Sequence, residues 1–271
     1  MRKGERREKL AAVAIFSIDG HASFRYPSAA IFANGFLPMG FGWGLRAKAQ
    51  RLASHIAATI PFGHMLRGPH GQVFASAYAT QVWGSAESRS GQGSEREATT
   101  ALRSYLPELF KRLDVKIFLD APCGDWNWMQ LVDLAGVDYI GIDVVADVIA
   151  SNRERFARPG VRFMLADLTK DTLPRADLVL CRDCWAHLSF QDIAAVLENF
   201  RRSGTTWLLV SNSPHIKRNL NQITGLRWRH LNLRRAPFHF PKAAESRKDH
   251  YPDVPFEITL WRIADLPKMQ P

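Results

Sequence analysis

Short apolar runs recur along the middle of this chain with polar, helix-like stretches between them. The first covers residues 116–121 and is followed by a pattern that predicts a helix over 126–135. A second run over 138–142 ends on Asp143, a helical pattern fills 146–156, and a third run over 162–166 ends near Asp167. A fourth run over 176–181, a helix over 191–201 and a fifth run over 206–211 continue the series, and 256–263 reads as a closing strand. Ahead of them, Ala98, Leu102, Tyr105, Leu106, Leu109 and Phe110 recur at helical spacing and predict a helix over 95–113. Strands alternating with helices specify an α/β layer architecture with right-handed crossovers.

The flanks are less regular. Residues 1–72 carry no dependable periodicity apart from one candidate helix over 45–60, and they are taken as an irregular extension in which no function is placed. The domain is expected over 73–271. Residues 78–94, YATQVWGSAESRSGQGS, form a glycine- and serine-rich loop with Trp83 at its centre. Such backbone freedom suits a loop that folds over a ligand, and equally suits a solvent-exposed linker. The first reading needs a partner for Trp83.

Composition narrows the class. With 46% hydrophobic and 23% charged residues, the 271-residue chain has the material for a substantial core. Three cysteines leave no paired disulfide framework and fit a reducing compartment. No apolar run approaches the roughly 18 to 20 residues that cross a bilayer. The basic start MRKGERREKL leads into an apolar stretch over 10–18 that is too short and lacks a clean cleavage pattern, so a cytoplasmic location without membrane partners is expected. Net charge is +10, and residues 212–250 hold nine Lys or Arg against two acids. A basic stretch of that kind serves either nucleic acid or small acidic ligands.

The chemistry gathers at strand ends. Ligands on parallel α/β sheets lie across the carboxyl ends of the strands, where Asp120, Asp143 and Asp167 fall. Asp143 follows Asp120 at close to the roughly 20-residue interval of an acid on ribose hydroxyls. Two carboxylate oxygens can accept from both hydroxyls at once. The first turn, DAPCGDW, is read as strand, turn and helix N-terminus, with exposed N–H groups for a polar ligand. It lacks G-x-G-x-x-G: Gly124 stands alone, with Pro122 and Trp126 where further glycines are expected. That disfavours a pyrophosphate and favours a cofactor without phosphates.

DAPCG in this turn, followed by YIGIDVV, LADLTKDTLPRADLVLCRDCWAHLSF and a basic tail, resembles the class I S-adenosylmethionine-dependent methyltransferases over about residues 102–263. WGSAESRSGQGS, LDAPCGDWNWM, CRDCWAHLSF and LNLRRAPFHFP narrow the resemblance to small bacterial methyltransferase-like proteins and extend it back to about residue 73. The resemblance implies a Rossmann-like sheet, mostly parallel with an antiparallel closing strand and helices on both faces. It implies S-adenosyl-L-methionine as cofactor. The length of the segment between the fifth and closing strands marks 212–255 as a substrate cap, and no metal site is expected. Asp120, Cys123 and Gly124 match the loop at the amino acid end of that cofactor; Ala121, Pro122 and Trp126 share the turn and are counted with it, although Pro122 and Trp126 stand where the family has glycines. Asp143 matches the ribose acid, Asp167 with Leu168 the pair beside adenine, and Cys181 to Asp183 the fourth-strand position next to the methyl.

Methyl transfer is an in-line displacement in which alignment does much of the work. Where the acceptor must lose a proton, Asp183 or His187 is the candidate base. Trp83, Arg227, Trp228, Asn232 and Phe238 form the candidate acceptor set, with Arg227, Arg229 or Arg234 as an anion clamp. The pair Cys181 and Cys184 lacks the two further ligands of a zinc site and reads as small residues flanking the site. A small-molecule acceptor is favoured, an anionic one being among the candidates. The alternatives are a nucleic acid, stacked on Trp228, Phe238 and Phe240, and a cofactor-binding module without transferase activity.

Overall fold

Strand β1, Ile117–Asp120, and strand β4, Leu178–Cys181, are almost wholly buried, as expected of parallel strands covered on both faces. A computed structural model describes residues 69–249 and 256–269; the candidate helix over 45–60 lies outside them. With β2 (Asp138–Asp143), β3 (Val161–Leu165) and β5 (Trp207–Asn212), they form a parallel array. Strands β6 (Glu245–Lys248) and β7 (Glu257–Arg262) complete a seven-stranded sheet of order β3-β2-β1-β4-β5-β7-β6, with β7 antiparallel to both neighbours. The array matches the expected sheet. Strand β6 was not legible as ESRK, a polar and mostly exposed segment; such charge is how edge strands avoid further pairing.

Alternation along each strand splits the core in two. Leu119, Ile140, Val179 and Leu208 face helix α4, Phe190–Arg202, whose Ile193, Val196, Leu197 and Phe200 are fully buried. Phe118, Tyr139, Leu178 and Leu209 face helix α2, Thr100–Arg112, through Leu102, Leu106, Leu109 and Phe110. Helix α3, Ala146–Phe156, follows β2 as predicted, and helix α1, His70–Thr80, precedes α2, so the boundary expected at residue 73 falls within its first turn.

The helix expected over 126–135 does not form. A single 3-10 turn, Met129–Leu131, takes its place. Gly124 and Trp126 both have left-handed backbones, with φ of 54° and 57°, which no right-handed helix accommodates. The cause is the Trp126 side chain, 1% exposed and packed against Tyr139, Phe156 and Phe163 at centroid distances of 5.6, 4.8 and 5.5 Å. Burial of so large an aromatic offsets the roughly 1–2 kcal/mol cost of the left-handed residue.

Candidate functional site

The carboxyl ends of β1 to β4 open into a cavity of about 300 Å³, covered by α1 and by the loop that follows it. At the β1 end, Gly124 has no room for a side chain: a Cβ would lie 2.4 Å from Ser90 Oγ. That close approach ties the serine-rich loop to the turn. Ser88 Oγ donates to Asp125 Oδ1 at 2.9 Å, the Asp125 N–H donates to Ser90 Oγ at 2.9 Å, and Asn127 Nδ2 donates to the Ser94 carbonyl at 3.0 Å. Gly91, at φ 100°, lets the loop fold back on Trp83. Trp83 meets the His187 ring edge-on at 5.7 Å. The loop is therefore a packed cover of the cavity and not an exposed linker.

Two buried carboxylates line the β1 and β2 ends. Asp143 accepts from the N–H of Gly124 at 3.1 Å and of Val145 at 3.0 Å, and burial outweighs those bonds to push its carboxyl up to about 6. Asp120 accepts from Tyr139 Oη at 2.7 Å, and burial pushes it up to about 7. A carboxylate has about four acceptor sites, so both retain capacity. Buried acids raised in this way favour a ligand that supplies hydroxyl donors and positive charge, because either lowers the cost of ionisation.

At the β3 end Asp167 is held differently. Thr169 donates to it from its N–H at 3.0 Å and its Oγ1 at 2.7 Å, and His70 Nδ1 lies 3.2 Å from Oδ2. Burial works to raise Asp167, yet the bonds from His70 and Thr169 outweigh it and hold the carboxyl below its usual range. The other His70 nitrogen lies 3.6 Å from Asp192 Oδ2 in the first turn of α4. Hydrogen bonds to Asp167 and then Asp192 push His70 up to about 10.

The β4 end is built by Arg182, Asp183, Cys184 and a 3-10 turn, Trp185–His187. Arg182 is buried; it donates from Nε and Nη2 to the two Asp249 oxygens at 2.7 and 3.2 Å and from Nη1 to the Gly93 carbonyl at 2.7 Å. Its Nη1 is also 3.5 Å from Asp183 Oδ2, and the Asp183 N–H donates to Ser211 Oγ at 2.9 Å. His187 stands between Trp83 and Phe74, and its Nδ1 is buried with no partner among the described residues. Burial pushes its pKa down, against Asp183 and the backbone of Gly225 and Arg227.

Of the residues singled out in the sequence, Asp120, Pro122, Cys123, Gly124, Asp143, Asp167, Leu168, Asp183, His187, Trp83 and Trp228 line this one cavity. The others do not, each for a packing reason. Ala121 and Cys181 alternate into the core on the α4 side, both 0% exposed. Trp126 is buried on the opposite face of the sheet. Asn232 is a buried latch, donating from Nδ2 to the carbonyls of Pro214 and Ile216. Phe238 packs on Phe190 and Phe240 within the core, and Arg227 is exposed outside the cavity. Among the described residues of the expected cap, 212–249, Leu226 and Trp228 line the cavity.

His70, Phe74 and Tyr78 of α1 also line the cavity and were not expected there. Their four-residue spacing places them on one helix face, a signal obscured because alanine and valine surround the helix with apolar positions. Arg182 was passed over as one member of CRDC.

Residues 118–204 match a family model described as a methyltransferase domain. Among solved structures, human N-acetylserotonin methyltransferase in complex with SAM aligns with a TM-score of 0.54 at 13% identity, covering 81% of this chain and 68% of that one. That likeness is one of fold. The magnesium protoporphyrin IX methyltransferase of Synechocystis PCC 6803 aligns at 0.48 and 14% identity, covering 70% of this chain and 94% of that one. The 1,6-didemethyltoxoflavin-N1-methyltransferase of Burkholderia thailandensis aligns at 0.48 and 16%, covering 84% and 92%. A search among curated proteins gives no match.

Proposed function

We propose that this chain, whose residues 118–204 match a methyltransferase domain model, transfers a methyl group from S-adenosylmethionine, and that the acceptor is a small molecule seated between Trp83, His187 and Trp228. The observation that carries this reading is the pairing of two ends in one cavity. Three strand-end carboxylates line one side; on the other, Trp83 Nε1 and His187 Nδ1 are buried with no partner among the described residues. Unsatisfied buried polar atoms are costly and point to a ligand that satisfies them.

The residues present fit the cofactor. Asp143 has acceptor capacity left for ribose hydroxyls, Leu168 beside Asp167 offers an apolar edge for a flat base, and Asp120 with the Gly124 turn faces the charged amino acid end. When bound, S-adenosylmethionine supplies a methyl group on a sulfonium, a good leaving group for in-line displacement. The chain's own contribution is orientation and proton transfer. Trp83 and Trp228 flank the acceptor, the cover formed by α1 and the serine-rich loop excludes water, and His187 Nδ1 takes the proton from an acceptor hydroxyl or amine as the new bond forms. Asp183 favours the protonated state of His187 that results. The small-molecule reading is supported over nucleic acid because Phe238 and Phe240 are 1% and 3% exposed and cannot stack on a base.

Calorimetry with S-adenosylmethionine on the wild type and on Asp143→Ala tests this assignment. The wild type is expected to bind, and loss of hydrogen bonds to a charged group weakens the variant about tenfold or more. A wild type that takes up no cofactor at millimolar concentration ends the reading. Methyl transfer from labelled cofactor to a metabolite extract, with no salt-sensitive retention of RNA, is the expected acceptor result.

A further inference from the structure

The cavity carries far less positive charge than the chain around it. Net charge is +10, and residues 212–249 hold nine Lys or Arg. Among the described residues, only Leu226 and Trp228 of that basic segment line the cavity, and no lysine lines it. Arg182 is the one arginine there, and its guanidinium is engaged on both edges. Nε and Nη2 donate to Asp249, Nη1 donates to the Gly93 carbonyl, and Asp183 Oδ2 lies 3.5 Å from Nη1. His70 is likewise taken up between Asp167 and Asp192. An anion at the acceptor end would therefore give up its hydration and gain no cation in exchange, which is costly. A cation would have to compete with Arg182 for Asp183.

Aromatic surface takes the place of charge. Phe74 of α1, Trp83 of the serine-rich loop and Trp228 line the cavity, and each is only half-buried. Three separate segments bring them there. The Phe74 and Trp83 rings meet His187 at 6.3 and 5.7 Å, inclined at 85° and 62°. The Gly225 N–H donates to the His187 carbonyl at 3.0 Å and the Arg229 N–H to the Ala186 carbonyl at 3.1 Å, which seats Trp228 beside the same turn. Val82, Leu188 and Leu226 add aliphatic surface to the lining. Steeply inclined rings present faces and edges together, and a further flat ring gains offset-stacked or edge-to-face contacts among them. A polyol or sugar would instead lose hydrogen bonds on entering.

We propose that the acceptor is an uncharged, planar aromatic or heteroaromatic ring that carries the O–H or N–H to be methylated. This rests on the acceptor reading given above and names its substrate class. The proton of that group passes to His187, and the methyl group takes its place on the oxygen or nitrogen. The anion clamp expected of Arg227, Arg229 or Arg234 has no part in this, since none of the three lines the cavity.

Two-dimensional NMR of the full chain with labelled tryptophan, in the presence of S-adenosylhomocysteine, tests the class with four probes. They are 2-naphthol, the anion 2-naphthoate, the cation 2-naphthylmethylammonium and the saturated decahydro-2-naphthol. The expected result is a saturable shift of the Trp83 and Trp228 Nε1–Hε1 resonances with 2-naphthol, and binding at least about tenfold weaker for the other three. Trp83→Phe and Trp228→Phe each identify one resonance by its loss. Trp228→Leu keeps apolar bulk without the ring and is expected to weaken 2-naphthol about three- to tenfold. The wild type alone decides the matter. Either charged probe binding as tightly as 2-naphthol, the saturated alcohol binding as tightly, or no response to 2-naphthol overturns the proposal. Calorimetry with S-adenosylhomocysteine on the same sample separates the two readings. Cofactor binding without a 2-naphthol response removes the ring class alone. A 2-naphthol response in a chain that takes up no cofactor supports the aromatic pocket and removes the methyltransferase reading.

Discussion

At the scale of single residues, the site is governed by what burial does to ionisable groups. Asp120 and Asp143 are raised and His187 is lowered for one reason: each charged form loses hydration at the cavity wall. For a base the direction is useful, since a histidine lowered from 6.5 is neutral across the whole neutral range. His187→Gln keeps a polar side chain and removes the proposed base. Its kcat is expected to fall about 100-fold or more, while cofactor affinity stays unchanged. In the wild type the acid limb of kcat against pH should lie below the ordinary histidine value, and the limb should vanish in the variant. Steady-state rates across pH check both, and an unchanged limb would assign it to another group.

At the scale of elements, helix α4 links the cover to the acceptor end. Ser189 caps it, accepting from the Asp192 N–H at 3.0 Å, and the Ser189 N–H donates to Thr224 Oγ1 at 2.7 Å. Thr224 Oγ1 in turn donates to Asp192, the second partner of His70. Ser189→Ala should cost about 1 kcal/mol of stability, the usual effect of a lost cap, read from the midpoint of denaturant unfolding at unchanged slope. A serine three residues before an acid is the local sequence pattern of such a cap. The 126–135 segment shows the opposite case. Its polar and apolar spacing permits a helix, but a tryptophan with aromatic neighbours on β2, α3 and β3 gains more from burial than the backbone loses in a left-handed turn.

At the scale of the molecule, the cavity is closed by contacts between distant parts of the chain. His70 reaches Asp167 across 97 residues, Arg182 reaches Gly93 across 89, and Arg182 reaches Asp249 across 67. His70 pins α1 over the β3 end, and the sign of its effect follows from its raised pKa. The charged ring is favoured in the folded state, so its stabilisation is complete below 6.5 and is lost as the pH rises towards about 10. On the acid side it is lost as Asp167 becomes protonated below its ordinary 3.8. His70→Gln should therefore lower the melting temperature most between those two values and progressively less above neutrality. Thermal scans of both proteins at several pH values check this, and a constant difference across pH would remove the ion-pair account.

The order of strands and helices, the burial of the parallel strands and the three strand-end acids were legible in the sequence. They depend on local periodicity and on chain direction, which a linear pattern carries. Gly124 and the methyltransferase-like turn were legible for the same reason. Which side chain faces the cavity was not. Cys181 and Ala121 sit next to lining residues and face the core, because a strand turns successive side chains to opposite sides. Asn232, Phe238 and Arg227 were drawn from a basic, aromatic segment whose path over the sheet is set by long-range packing. His70 emerges only where chain segments meet, since its pairing with Asp167 and Asp192 joins residues far apart in the chain.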